Sequence, residues 1–87
     1  MHEQSVIDAL VKKILTIAKK ENAQLVTKVK VRLGAFCHMD EDHFKEHFII
    51  SAAGTIAQDA IIEAELSNDE HDEHAHFVTL LSIDVTS

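Results

Sequence analysis

The apolar period changes three times along these 87 residues, and that rhythm constrains the fold more than any single motif. In residues 4–21, Val6, Ile7, Leu10, Val11, Ile14, Leu15 and Ala18 recur at the three-and-four spacing of one helical face. Lys12, Lys13, Thr16, Lys19 and Lys20 occupy the opposite face, and Asn22 is the expected stop. Residues 25–33 alternate instead. Leu25, Thr27, Val29, Val31 and Leu33 are expected on one side, with Lys28, Lys30 and Arg32 on the other, and Gly34 as the end.

Residues 40–53 return to a helical period. Asp40 has the chemistry of an N-cap, Phe44 and Phe48 stack at i, i+4 with Ile49 and Ala52 beside them, and Gly54 is the expected C-cap. Residues 60–66 alternate again. Ala60, Ile62, Ala64 and Leu66 are expected inward, with Glu63 and Glu65 outward and across from Lys28 and Lys30. The polar segment 67–76 precedes a last strand, 77–85, with Leu81, Ile83 and Val85 inward.

The order helix–strand–helix–strand–strand predicts an α+β fold. Two helices would pack on one face of a three-stranded mixed sheet and leave the other face charged. The first two strands, joined through a helix, are expected to run parallel and the last two antiparallel. Residues 1–87 are read as one domain, with no repeat or linker.

Composition narrows the function. Residues 1–34 carry seven basic and three acidic side chains, and residues 35–87 one basic and twelve acidic, for a net charge of −7. Such a surface argues against nucleic acid and anionic membranes as partners and suits a basic protein surface or a cation. Cys37 is the sole cysteine, so an internal disulfide and a four-thiolate zinc site are both excluded within one chain. No apolar run is long enough to span a bilayer, no secretory signal is recognisable, and a cytoplasmic setting is expected. Two glycines in all leave no phosphate-cradling loop, and no nucleophile has a base in a recognisable context. The expectation is a protein that is not an enzyme.

The seven histidines remain. His2 stands beside the N-terminus. The Met1 amine, the His2 backbone nitrogen and its imidazole can close fused chelate rings on nickel(II) or copper(II), although a frayed terminus has the same sequence. His43 and His47, at i, i+4, read either as a metal-gripping pair or as the polar shoulder of the Phe44/Phe48 stripe. His71, His74 and His76 sit among Asp69, Glu70, Asp72 and Glu73, and read either as a weak metal site or, the favoured reading, as a solvated loop. Cys37 reads as a small buried hydrophobe or a soft ligand beside His38.

Met1-His2-Glu3-x-Ser5 followed directly by an amphipathic helix resembles the start of the HypA/HybF proteins. The resemblance continues through Val26-Thr27-Lys28-Val29, Val31-x-Leu33-Gly34, Met39-Asp40, Phe44 and Phe48, and ends with Leu81-Ser82-Ile83-Asp84-Val85. It covers most of the chain except 67–76. The family delivers nickel during hydrogenase maturation and, in some organisms, urease maturation. The resemblance implies that His2 is the essential nickel ligand, that Glu3 supports nickel binding or transfer, and that Asp40 lies beside the metal. Residue chemistry alone also allows Glu3 as a helix-dipole acid and Asp40 as a cap.

Family members carry two Cys-x-x-Cys pairs in a zinc ribbon between the last two strands. Here 67–76 stand in its place, and no structural zinc is expected. The implied cargo is nickel(II), bound by Met1, His2, Glu3 and Asp40. The implied partners are a nickel-enzyme precursor or a maturation GTPase, with self-association left open. The alternative is a protein-interaction module that keeps the fold without handling metal, using exposed strand edges. A small metalloenzyme using the extra histidines is a distant third reading.

Overall fold

The structure is a computed structural model that describes residues 3–37, 39–73 and 75–87, with Glu3 described in its backbone only. Helix α1 spans Glu3–Lys20, strand β1 Leu25–Leu33, helix α2 Glu41–Ala52, strand β2 Ile61–Leu66 and strand β3 Val78–Thr86. This is the α+β order and composition expected from the sequence.

Each helix ends where its residues predict. After α1, Asn22 adopts a left-handed φ of 55°. Its N–H donates to Lys19 O at 3.1 Å, and the Ala23 N–H donates to Ala18 O at 3.0 Å. These two bonds form a Schellman cap that satisfies otherwise orphaned carbonyls. Asp40 caps α2, its side chain accepting from the His43 backbone N–H at 2.7 Å. At the far end the cap itself is Ala53, and Gly54 follows with a φ of 80°. The Thr55 N–H donates to Ala52 O at 3.0 Å. This is a type II turn, whose third residue needs the positive φ that glycine adopts without penalty.

The strand order is β2-β1-β3, with β1 parallel to β2 and antiparallel to β3. The last two strands therefore run in opposite directions, as expected, but do not pair. Their connection crosses the end of the central strand instead of closing a hairpin. Backbone bonds fasten it there: Ser67 N–H to Leu33 O at 2.9 Å, Gly34 N–H to Phe77 O at 3.0 Å and Phe36 N–H to Ala75 O at 2.7 Å. Ala75 is buried, so the segment is anchored by its apolar member while its described polar side chains stay largely outside.

Two irregularities in the β1–β3 ladder correct the expected facing. Val26 pairs with Val85 and Lys28 with Asp84, which leaves Thr27 as an extra residue on β1. Val26 is consequently buried, whereas Leu25 and Thr27, expected inward, are exposed. Further along, Lys30 pairs with Ser82 and Val31 with Leu80, which leaves Leu81 as the extra residue on β3. Val78, Leu80, Ile83 and Val85 pack against the core, so Leu80 takes the place expected for Leu81. Each bulge shifts the two-residue alternation by one, and the second restores the offset introduced by the first. Leu66, also expected inward, is 61% exposed at the end of β2.

The core joins Ile7, Leu10, Val11, Ile14 and Ala18 of α1, Phe44, Phe48 and Ala52 of α2, and Val26, Val29, Val31 and Leu33 of β1. The charged face of the sheet is laced by Lys28–Glu63 at 2.9 Å and Arg32–Glu65 at 3.0 Å. Glu63 lies opposite Lys30 in the register and reaches diagonally to Lys28, and Glu65 takes Arg32 instead of Lys30. Among the described residues no helix is long and apolar enough to cross a membrane.

These pairs set an acid-side prediction. The hydrogen bond from Lys28, and then its charge, hold the Glu63 carboxyl below its ordinary value; the Ser51 and Gln4 hydrogen bonds do the same for Asp8. A depressed folded-state value means stability that is present above the ordinary carboxylate range and is lost as pH falls through the folded value. Both groups are solvent-exposed, so the effect is small. Urea midpoints should decline gently below about pH 4.5, and Glu63→Gln should flatten the decline. An identical acid limb in the variant would remove this pair from the account.

Candidate metal centre

The two helices run in the same direction. Near the start of α1, Gln4 meets His47: its Nε2 lies 3.4 Å from His47 O, and its Oε1 lies 2.6 Å from His47 Nδ1. One turn further, Asp8 meets Ser51 through a side-chain hydrogen bond. A step of four residues on α1 thus matches a step of four in the same sense on α2. The N-terminal ends of both helices, including the Asp40 cap, lie toward the same end of the fold.

This contact also explains why Ile49 misses the core. Gln4 and Asp8 occupy the 47/51 side of the Phe44–Phe48–Ala52 stripe. Ile49 lies about 100° around the helix on the other side of that stripe, and it is 60% exposed.

At the helix junction the side chains form a chain of hydrogen bonds. His43 Nε2 and His47 Nε2 are 2.8 Å apart, and the rings stack with centroids 4.7 Å apart and an interplanar angle of 23°. Gln4 Nε2 donates to Asp8 Oδ1 at 3.0 Å. A carboxylate only accepts, so this bond fixes the Gln4 amide with its oxygen toward His47. A neutral His47 therefore donates from Nδ1, with its Nε2 lone pair turned to His43.

Of the residues expected to hold nickel, Asp40 is placed as the α2 cap, with one carboxylate oxygen engaged by the His43 N–H. Met1, His2 and the Glu3 side chain lie outside the described residues, as do His38 and His74. Cys37 is half-buried, and its Sγ lies 3.5 Å from Met39 O, in keeping with a small packed residue. In the segment 67–76, the His71 N–H donates to Asp69 Oδ1 at 3.0 Å, and His76 stacks on Phe36 with centroids 5.2 Å apart. Among the described residues no three His, Cys, Asp or Glu side chains gather closely enough to hold an ion. Sequence reading found the His43/His47 pair but missed Gln4, a residue type with no metal signature that only the helix packing brings to His47.

A small α+β domain whose helix N-termini share one end, with imidazoles and a carboxylate there, has the makings of a metal-handling domain. The chain belongs to the HypA family: the profile described as "Hydrogenase/urease nickel incorporation, metallochaperone, hypA" matches residues 1–71. It is 33% identical over 63 residues to the hydrogenase maturation factor HypA of Archaeoglobus fulgidus, covering 72% of this chain and 57% of that protein. It is 41% identical over 63 residues to that of Thermococcus kodakarensis, covering 72% and 45%. The chain spans about half the length of these relatives. Its fold matches the solution structure of the Ni metallochaperone HypA from Helicobacter pylori, with a TM-score of 0.81 at 21% identity over 100% of this chain and 99% of that one.

Proposed function

We propose that residues 1–87 act as one nickel-binding unit, an accessory protein and not an enzyme, that carries nickel(II) toward a nickel enzyme such as hydrogenase. The observation that carries this reading is the family match from residue 1, which takes in the N-terminal Met1-His2-Glu3. The Met1 amine, the His2 backbone nitrogen and the His2 imidazole would supply three nitrogen donors, a set suited to tetragonal nickel(II). Glu3 would assist binding or transfer.

Asp40 is a feasible further ligand. Gln4 meets His47 at the start of α1, and Asp40 caps the same end of α2, so the N-terminal residues and the Asp40 carboxylate belong to one end of the fold. The cap bond uses one of its oxygens, and a carboxylate accepts at both.

The fold in this reading stands without structural zinc. Its core is closed by Phe44, Phe48 and the aliphatic residues of α1 and β1, and a single cysteine cannot build a thiolate cage. The receiving partner is a nickel-enzyme precursor or a maturation GTPase, met by the acidic surface, in the cytoplasm.

Calorimetric titration with nickel(II) tests the site. Untagged protein should bind about one ion tightly. His2→Ala, and a form with residues added ahead of Met1, should each lose that site, because the second blocks the amine while keeping every side chain. Equal affinity in the extended form would refute the N-terminal chelate, and no binding in any form would favour the metal-free interaction module.

A further inference from the structure

The helix junction carries a second metal-binding chemistry, independent of the N-terminal tripeptide. We infer that His43 and His47 form a site for a borderline divalent transition-metal ion, nickel(II) or zinc(II), through their two Nε2 atoms, with Gln4 as the positioning residue.

Three observations carry it. The first is spacing. Imidazole nitrogens lie about 2.0–2.1 Å from such a metal, so two of them are about 2.9 Å apart at right angles around nickel(II) and about 3.3 Å apart around tetrahedral zinc(II). The Nε2 atoms are already 2.8 Å apart. No helix movement is needed; the two rings turn so that both nitrogens face the ion in place of each other.

The second is tautomer. A metal-binding histidine typically donates its other ring N–H to an oxygen, which fixes the ring and raises the basicity of the ligating nitrogen. His47 does so to Gln4 Oε1 at 2.6 Å, and Gln4 is itself oriented by Asp8 Oδ1 at 3.0 Å. The His47 Nε2 lone pair is therefore prepared before any ion arrives. His43 carries its proton on Nε2 in the paired state, and that proton moves through solvent to Nδ1 when the ion binds. No net charge is lost by neutral rings.

The third is support. The pair sits on the first two turns of α2, whose adjacent stripe, Phe44 and Phe48, is at most 1% exposed. His43 is exposed and His47 half-buried, so the pair is accessible from the His43 side. Two protein ligands with the remaining positions filled by water give a labile site, suited to relaying an ion and not to retaining it.

The test uses the 87-residue chain carrying His2→Ala, which separates this inference from the N-terminal one. Nickel(II) titration should reveal a residual site weaker than that of wild type. Adding His43→Ala or His47→Ala should weaken it at least tenfold, whereas His71→Ala with His76→Ala should leave it unchanged. Zinc(II), being diamagnetic, allows a second readout by NMR: the Nε2 resonances of both rings should shift together at equal occupancy while backbone shifts elsewhere persist, which excludes unfolding.

Gln4→Leu should lower affinity about 10–100-fold and turn the His47 nitrogen spectrum from the Nδ1–H form toward a tautomer mixture. A purely structural role for Gln4 would leave that spectrum unchanged. The inference is overturned if the His2→Ala protein binds no ion, or if its residual site is indifferent to both histidine replacements.

Discussion

Phe48→Ala should cost about 3–5 kcal/mol of folding stability, the usual range for a phenylalanine removed from a packed interior. The side chain is 1% exposed and its ring centroid lies 6.0 Å from that of Phe44, in a tilted arrangement. The loss combines the transfer of a large apolar surface, the cavity left behind and an aromatic contact worth about 0.5–1.5 kcal/mol. A domain of this size holds about 5–15 kcal/mol in total, so the variant would lie near the edge of folding. The thermal midpoint should fall by at least about 12 °C. Ile49→Ala, one position along the same helix, should change stability by no more than about 0.5 kcal/mol. A reversal of the two effects would place the wrong face of α2 against the sheet.

That contrast also marks where the fold was legible in the sequence. Element type and order followed from the apolar period, and three of the four helix termini followed from Asn22, Asp40 and Gly54. The buried face of α1 was equally plain, since a broad stripe of aliphatic residues leaves no choice of side. Ile49 was misplaced because α2 is amphipathic over a narrow stripe, and the position of α1 decides which neighbour of Phe48 is covered. Leu25, Thr27 and Leu81 were misplaced for a different reason. A bulge inserts one residue without a sequence signature of its own, and strict alternation assigns every residue beyond it to the wrong face. Strand adjacency was likewise hidden. The last two strands flank β1, a choice made by tertiary packing that local pattern does not encode.

The metal chemistry was legible unevenly. His2 was proposed as a ligand from its position and its resemblance and lies outside the described residues, whereas the His43/His47 pair was visible in its spacing. What turns the latter pair into a prepared site is Gln4, 43 positions away from His47 in the chain. Its contribution is a hydrogen-bond direction, fixed by Asp8, and direction appears only when the helices are packed.

The steepest expected response is that of nickel affinity to pH, and it separates the two sites. Every proton that must leave a ligand for the ion to bind makes the affinity rise about tenfold per pH unit wherever the free protein still holds that proton. An N-terminal chelate displaces a proton from the Met1 amine, one from the His2 backbone nitrogen and, in acid, one from the imidazolium. An unperturbed imidazole titrates near about 6.5 and an α-amine near about 7.7–8.0. Around pH 7 the amine and backbone protons are both displaced, so affinity should climb roughly 100-fold per unit. Above about pH 8 only the backbone proton remains to be lost, and the slope should relax to roughly tenfold. The His43–His47 pair displaces no amine or backbone proton, so in His2→Ala protein the affinity should rise less steeply with pH than in wild type. The measurement is calorimetric titration of both proteins at half-unit steps from pH 6 to 8.5, corrected for nickel binding by the buffer. A wild-type slope that levels off where the imidazoles finish titrating would remove the backbone nitrogen and the amine from the tight site, leaving side-chain imidazoles as its only nitrogen donors.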